Sequence, residues 1–99
     1  MGDNKSQIQS IKSDIERIKT FIEAQKKSIQ SYKNDKSRLA ERYRDQIKRA
    51  DKKDKIRLRD RKKSEMEGFI RQISSAKKNI EGYKTQISKR REDIRRLKK

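Results

Sequence analysis

Lysine and arginine are the residues here whose type and spacing could do chemistry. Ten of them crowd one stretch: Lys48, Arg49, Lys52, Lys53, Lys55, Arg57, Arg59, Arg61, Lys62 and Lys63, against only Asp51, Asp54 and Asp60. A second block, Lys89, Arg90, Arg91, Arg95 and Arg96, runs on into Lys98 and Lys99. Ammonium and guanidinium groups at this density hold anions, and on a phosphate backbone they do so by releasing counterions. The whole chain carries 32 basic and 15 acidic residues, a net charge of +17. The excess is uneven. Residues 1–33 hold seven basic and four acidic groups, residues 34–66 fourteen and seven, and residues 67–99 eleven and four.

Other chemistry lacks its residues. There is no His and no Cys, so soft-metal ligand sets and Ser-His or Cys-His nucleophile pairs cannot form. No disulfide is available either. The three glycines build neither a GxxxxGK[ST] nor a GxGxxG loop. The carboxylate pairs Glu65/Glu67 and Glu92/Asp93 stand among cations, and two helices offer no pocket to exclude water. The expectation is a protein that is not an enzyme and holds no cofactor or metal. No zinc-finger, homeodomain or RNP motif is present, so any nucleic acid would be held by its backbone without sequence reading. The aromatic residues fall on an apolar seam, where they pack as core instead of stacking on bases.

That seam sets the architecture. Ile8, Ile11, Ile15, Ile18 and Ile22 follow the 3-4 spacing of a heptad. The register continues through Gln25, Ile29, Tyr32, Lys36, Leu39 and Tyr43, with Ile47 one position beyond it. The pattern returns at Met66, Phe69, Ile73, Ala76, Ile80, Tyr83, Ile87, Arg90, Ile94 and Leu97. Phe21 lies beside the seam.

The two halves are out of phase. Ile8 and Met66 are 58 positions apart, two more than a multiple of seven, which rotates the seam by about 200° on an unbroken helix. The helix therefore stops and restarts, and the apolar-free run Asp51–Lys55 is where it does so. Asp51 and Asp54 are both N-cap residues by type. Folding there pairs residues whose numbers add to 105. Ile8 meets Leu97, Ile11 meets Ile94, Ile18 meets Ile87, and Ile22 meets Tyr83. Ile29 meets Ala76, Tyr32 meets Ile73, Leu39 meets Met66, and Ile47 meets Leu58.

The expected fold is thus all-α: an antiparallel two-helix hairpin, a coiled coil forming a single structural unit. Residues 1–5 are a frayed start, 6–50 helix 1, 51–54 the turn and 55–97 helix 2. One alternative makes the same pairs in trans, as an antiparallel dimer of unbroken helices. Its middle follows a right-handed path through Leu39, Tyr43, Ile47, Ala50, Asp54, Leu58, Arg61, Glu65 and Phe69. The hairpin is preferred because its connection has an ordinary helix–helix loop length.

Composition agrees: 47% charged and 27% hydrophobic is typical of long helices when the apolar residues share one stripe. The stripe is thin and is interrupted at Gln25, Lys36 and Arg90. A second copy, giving a four-helix bundle, or a partner's helices would therefore complete it. Gly68 and Gly82 each weaken the second helix by about 1 kcal/mol relative to Ala.

Lesser signals add little. A shift of 51 residues aligns Lys12-Ser13 with Lys63-Ser64, Ile22 with Ile73, and Tyr32-Lys33 with Tyr83-Lys84, a faint internal repeat. Met1 to Ser6 fits the N-myristoylation pattern at Gly2, but Asp3 opposes it. No apolar run spans a membrane or forms a signal core, so the expected location is soluble and intracellular.

The functional expectation is a non-catalytic basic coiled-coil module engaging a polyanion, DNA or RNA first. Its fifteen cations are Lys48–Lys63 and Lys89–Arg96 as given above. The bland alternative is a solvated surface of mixed charges in i,i+4 pairs, although a two-to-one basic excess costs stability through self-repulsion. The functional alternative is an adaptor or assembly protein that docks on helices of another protein with an acidic surface.

Overall fold

A computed structural model describes residues 2–99. Met1, part of the expected frayed start, lies outside the described residues. Two α-helices make up the chain: α1, Gly2–Arg49, and α2, Lys52–Lys98. They pack antiparallel as a hairpin within one chain, which excludes the dimer of unbroken helices as the source of the pairing.

The cross-helix contacts keep the register that the seam requires. Phe21 packs on Tyr83 with ring centroids 5.7 Å apart, and Arg90 pairs with Asp14. Each of those pairs adds to 104, one off the expected 105. All nineteen expected contact residues, from Ile8 to Leu97, are buried or half-buried. The deepest are Ile15, Ile18, Ile22, Ile73, Ala76, Ile80 and Ile87, joined by Tyr43. No side chain among the described residues falls below 2% exposure, as expected when only one stripe of each helix meets another.

Contacts divide the hairpin into two units. One is the chain up to Lys26 with Lys77–Lys99; the other is Lys27–Ala76. In a two-helix hairpin every long-range contact joins residues facing each other across the seam, so stability is local along it, as in repeat proteins.

The boundaries also differ from those expected. The connection is Ala50 and Asp51, not 51–54. Asp51 alone is the N-cap: its Oδ1 accepts from the Asp54 backbone N–H at 2.9 Å, and its carbonyl accepts from Lys55 N–H at 2.9 Å. Asp54 therefore sits in the first turn of α2, where its negative charge meets the positive end of the helix dipole. On the other side, Ala50 N–H donates to Ile47 O at 3.3 Å, a tightened last turn. Neither connecting residue has positive φ, so the turn needs no glycine.

The helix ends run further than expected. Residues 2–5 are helical, and the Asn4 carboxamide donates to the Leu97 carbonyl at 3.5 Å, tying the first turn of α1 to the end of α2. α2 extends to Lys98, with Arg95, Arg96 and Lys98 in its last turn favoured by the dipole.

The cap carries a prediction. Asp51→Ala should cost about 1 kcal/mol of stability, while Asp51→Asn should retain most of it, because both Asp and Asn accept at an N-cap. Urea unfolding followed by circular dichroism reads the difference. Equal midpoints for the Ala variant and the parent would contradict the cap.

Candidate functional site

The turn gathers the denser cationic block into the unit Lys27–Ala76. Lys48 and Arg49 end α1. Lys52, Lys53, Lys55, Arg57, Arg59, Arg61, Lys62 and Lys63 fill the first turns of α2. Eight of these ten are exposed; Lys55 and Lys62 are half-buried beside the seam.

Ion pairing is absent from this block and partial elsewhere: seven of the 22 cations outside it join an ion pair among the described residues. Asp14–Arg17, Glu16–Lys19, Glu23–Lys26, Asp35–Arg38, Glu81–Lys84 and Glu92–Arg95 are all i,i+3 pairs with nitrogen–oxygen distances of 2.8 to 3.8 Å. None of the ten turn cations joins an ion pair among the described residues. The acids nearby face other tasks: Asp51 caps α2, and Asp54 sits at the helix start. Each exposed i,i+3 pair contributes only about 0.3–0.5 kcal/mol, but it occupies one cation's nearest counter-charge. The turn cations stay open to solvent or a ligand.

Three of them converge. Arg49, Arg57 and Arg61, with Gln46 and Asp54, line an open groove of about 460 Å³ floored by Ala50 and Leu58. Arg57 and Arg61 also border a second groove of about 400 Å³ with Asp60, Ser64 and Glu65. Guanidinium groups present planar forks of donors that match phosphate oxygens two at a time. The sequence placed these arginines in one block. That they share a groove with Gln46 follows only from how α1 ends against α2.

The C-terminal block is different. Lys89, Arg91, Arg95 and Arg96 are exposed, but Arg95 Nη1 lies 3.2 Å from Glu92 Oε2. Arg90 turns into the seam. Its Nε is buried without a hydrogen-bond partner and sits 3.8 Å from Asp14 Oδ2 on the facing helix. Of the seven ion pairs described, this one crosses between the helices. Asp14 was legible as its partner, because the two face each other one residue off the register. Arg90 is thus a seam residue with a counter-charge, and a poor candidate for gripping an outside anion.

Tyr43 marks the inner edge of the turn region. Burial raises its phenol pKa above the ordinary 10.0, and the negative charge of the nearby Glu65 carboxylate raises it further; Arg61 and Arg42 oppose the shift. Glu65 and Arg61, which border the second groove, are therefore electrostatically linked to a core residue. No family model, curated protein or solved structure matches this chain. Among the described residues no helix is long and apolar enough to cross a membrane.

The phenol makes a pH prediction. A raised folded pKa means the folded state holds the proton more tightly, so Tyr43 contributes full stability below the ordinary 10.0. That contribution is lost as pH rises through the shifted value. The difference absorbance titration of the parent minus Tyr43→Phe should show one phenol ionising above 10.0. The parent should also lose stability faster than the variant across that range. A phenol in the difference titration that ionised at or below 10.0 would refute the assignment.

Proposed function

We propose that this protein is a non-catalytic basic coiled-coil hairpin that binds a polyanion, DNA or RNA in the first instance, through the cations at its turn. The observation that supports this most directly is the ion-pair pattern. Seven of the 22 cations outside the turn join an ion pair, while the ten of Lys48–Lys63, the densest run of charge in the chain, have none within 4.0 Å among the described residues. Holding so many like charges together without counter-charges costs folding stability. An anionic ligand removes that cost on binding.

The contacts in this reading are to phosphates. Lysines act as point charges, and Arg49, Arg57 and Arg61 supply forked donors around one groove. The sequence carries no zinc-finger, homeodomain or RNP motif, so recognition in this reading is by charge and backbone spacing. Lys89, Arg91 and Arg96 form a second set of exposed cations.

Replacing Arg57, Arg59, Arg61 and Lys62 by Gln tests it. With duplex DNA the logarithmic salt slope should become shallower by up to about 3.6, near 0.9 for each phosphate that no longer has a cation beside it. Binding should weaken alike for unrelated sequences. Fluorescence anisotropy across a salt series measures both. Absence of binding at physiological salt, or equal binding by the four-site variant, would overturn the reading.

A further inference from the structure

We infer that the unit made of the chain up to Lys26 with Lys77–Lys99 carries a second polyanion contact, a ladder of cations along one edge of its seam on which a nucleic acid lies lengthwise. In α1, Lys5, Lys12, Lys19 and Lys26 recur every seven residues. In α2, Lys77, Lys84, Arg91 and Lys98 do the same. Seven of the eight directly follow a seam residue, from Lys12 after Ile11 to Lys98 after Leu97. Lys5 follows Asn4, whose carboxamide reaches the Leu97 carbonyl. All eight are exposed, and all belong to one unit.

The seam can be lettered a at Ile8, Ile15 and Ile22 and d at Ile11, Ile18 and Gln25, with a at Ile80, Ile87 and Ile94 on α2. In an antiparallel pair, the positions just after d on the two helices flank one edge and those just before a flank the other. The ladder therefore has four rungs of like charge: Lys5 with Lys98, Lys12 with Arg91, Lys19 with Lys84, and Lys26 with Lys77. Observed contacts mark the other edge, where Phe21 packs on Tyr83 and Asp14 meets Arg90. The six positions before a on that edge, Gln7, Asp14, Phe21, Asn79, Gln86 and Asp93, include no Lys or Arg. Arg17, Lys89 and Arg96 sit further round, on the outer surface.

Opposite charges flanking a seam support a coiled coil, and like charges weaken it. Glu16, Glu23 and Glu81 pair with Lys19, Lys26 and Lys84 at 3.3 to 3.7 Å. The other five ladder cations join no ion pair among the described residues. Folding gains nothing from these rungs, whereas an anion laid along them relieves their repulsion. The chemistry of the edge selects that anion. Its ladder positions offer no apolar anchor for a docked helix or for an interfacial membrane contact. A phosphodiester backbone needs only cations, which release its counterions. Rungs fall about 10.5 Å apart over about 32 Å, at about 1.5 Å per residue. That length covers about nine base pairs of duplex at about 3.4 Å each. The inference rests on the polyanion reading above but on none of the turn cations.

Lys12→Gln, Lys77→Gln and Arg91→Gln together remove three unpaired ladder charges. Gln7→Glu, Asn79→Asp and Gln86→Glu together make the same change in net charge on the other edge. Fluorescence anisotropy of a long DNA duplex across a salt series compares both with the parent, and circular dichroism confirms that each keeps its helix. The ladder variant should lose up to about 2.7 of the logarithmic salt slope, near 0.9 for each phosphate contact, while the other-edge variant keeps the parent's slope. Equal weakening by the two variants, or a ladder variant that binds as the parent does, would overturn the inference. The four-site turn variant separates the two readings: if it alone flattens the slope, the ladder fails and the turn stands. A parent that does not bind overturns both. Tighter binding to vesicles of phosphatidylserine and phosphatidylcholine than to duplex, lost in the ladder variant, would overturn the choice of nucleic acid.

Discussion

The apolar stripe shared by the two helices is narrow, and each helix can bury its half only against the other. Everything else in the structure follows from that. A helix of this length with one thin apolar face is unstable alone, because propensity does not offset the entropy of ordering it. Folding back gives α1 and α2 the complementary surface each lacks. The burial is shallow even so: Ala76 at 4% and Ile18 at 5% exposure are the driest positions. Such a seam leaves little margin for error in register, and the turn must deliver the second helix at the right phase. Asp51 starts the second helix with one side chain, two residues after the first helix ends at Arg49.

The same geometry governs the charge. A two-helix hairpin has much surface and little interior, so nearly every ionisable group faces water. Six of the fifteen acids settle into pairs one turn away on their own helix. Asp14 reaches across as well, where Arg90 interrupts the stripe. A guanidinium there is tolerated because its stem packs on the seam while its charge finds a partner. The cations at the turn have no such outlet. Asp51 and Asp54 are held at the start of α2, by a backbone N–H and the helix dipole, and Asp60 joins no ion pair among the described residues. The result is a densely positive end built from ordinary capping chemistry.

The sequence determined the helices, their pairing and the position of the turn. Each rests on local periodicity: 3-4 spacing fixes a stripe, a two-residue phase slip forces a break, and antiparallel pairing then leaves one register. Phe21 against Tyr83 and Asp14 against Arg90 fall one residue from it. The cationic blocks were equally legible, because they are contiguous. What only the tertiary structure decided depends on how side chains meet across that register. Asp51 and Asp54 are the same residue type three apart, and sequence cannot say which caps; the hydrogen bond to Asp54 N–H does. Arg90 reads both as one of a basic run and as a seam position, and the pair with Asp14 across the helices is what takes it from the first role. Arg49, Arg57 and Arg61 share a groove, and Leu39 faces Gly68 and Phe69, only because the end of one helix lies beside the start of the next. Composition and spacing are properties of one strand of chain, whereas pairing of charges and shape of grooves are properties of two surfaces brought together.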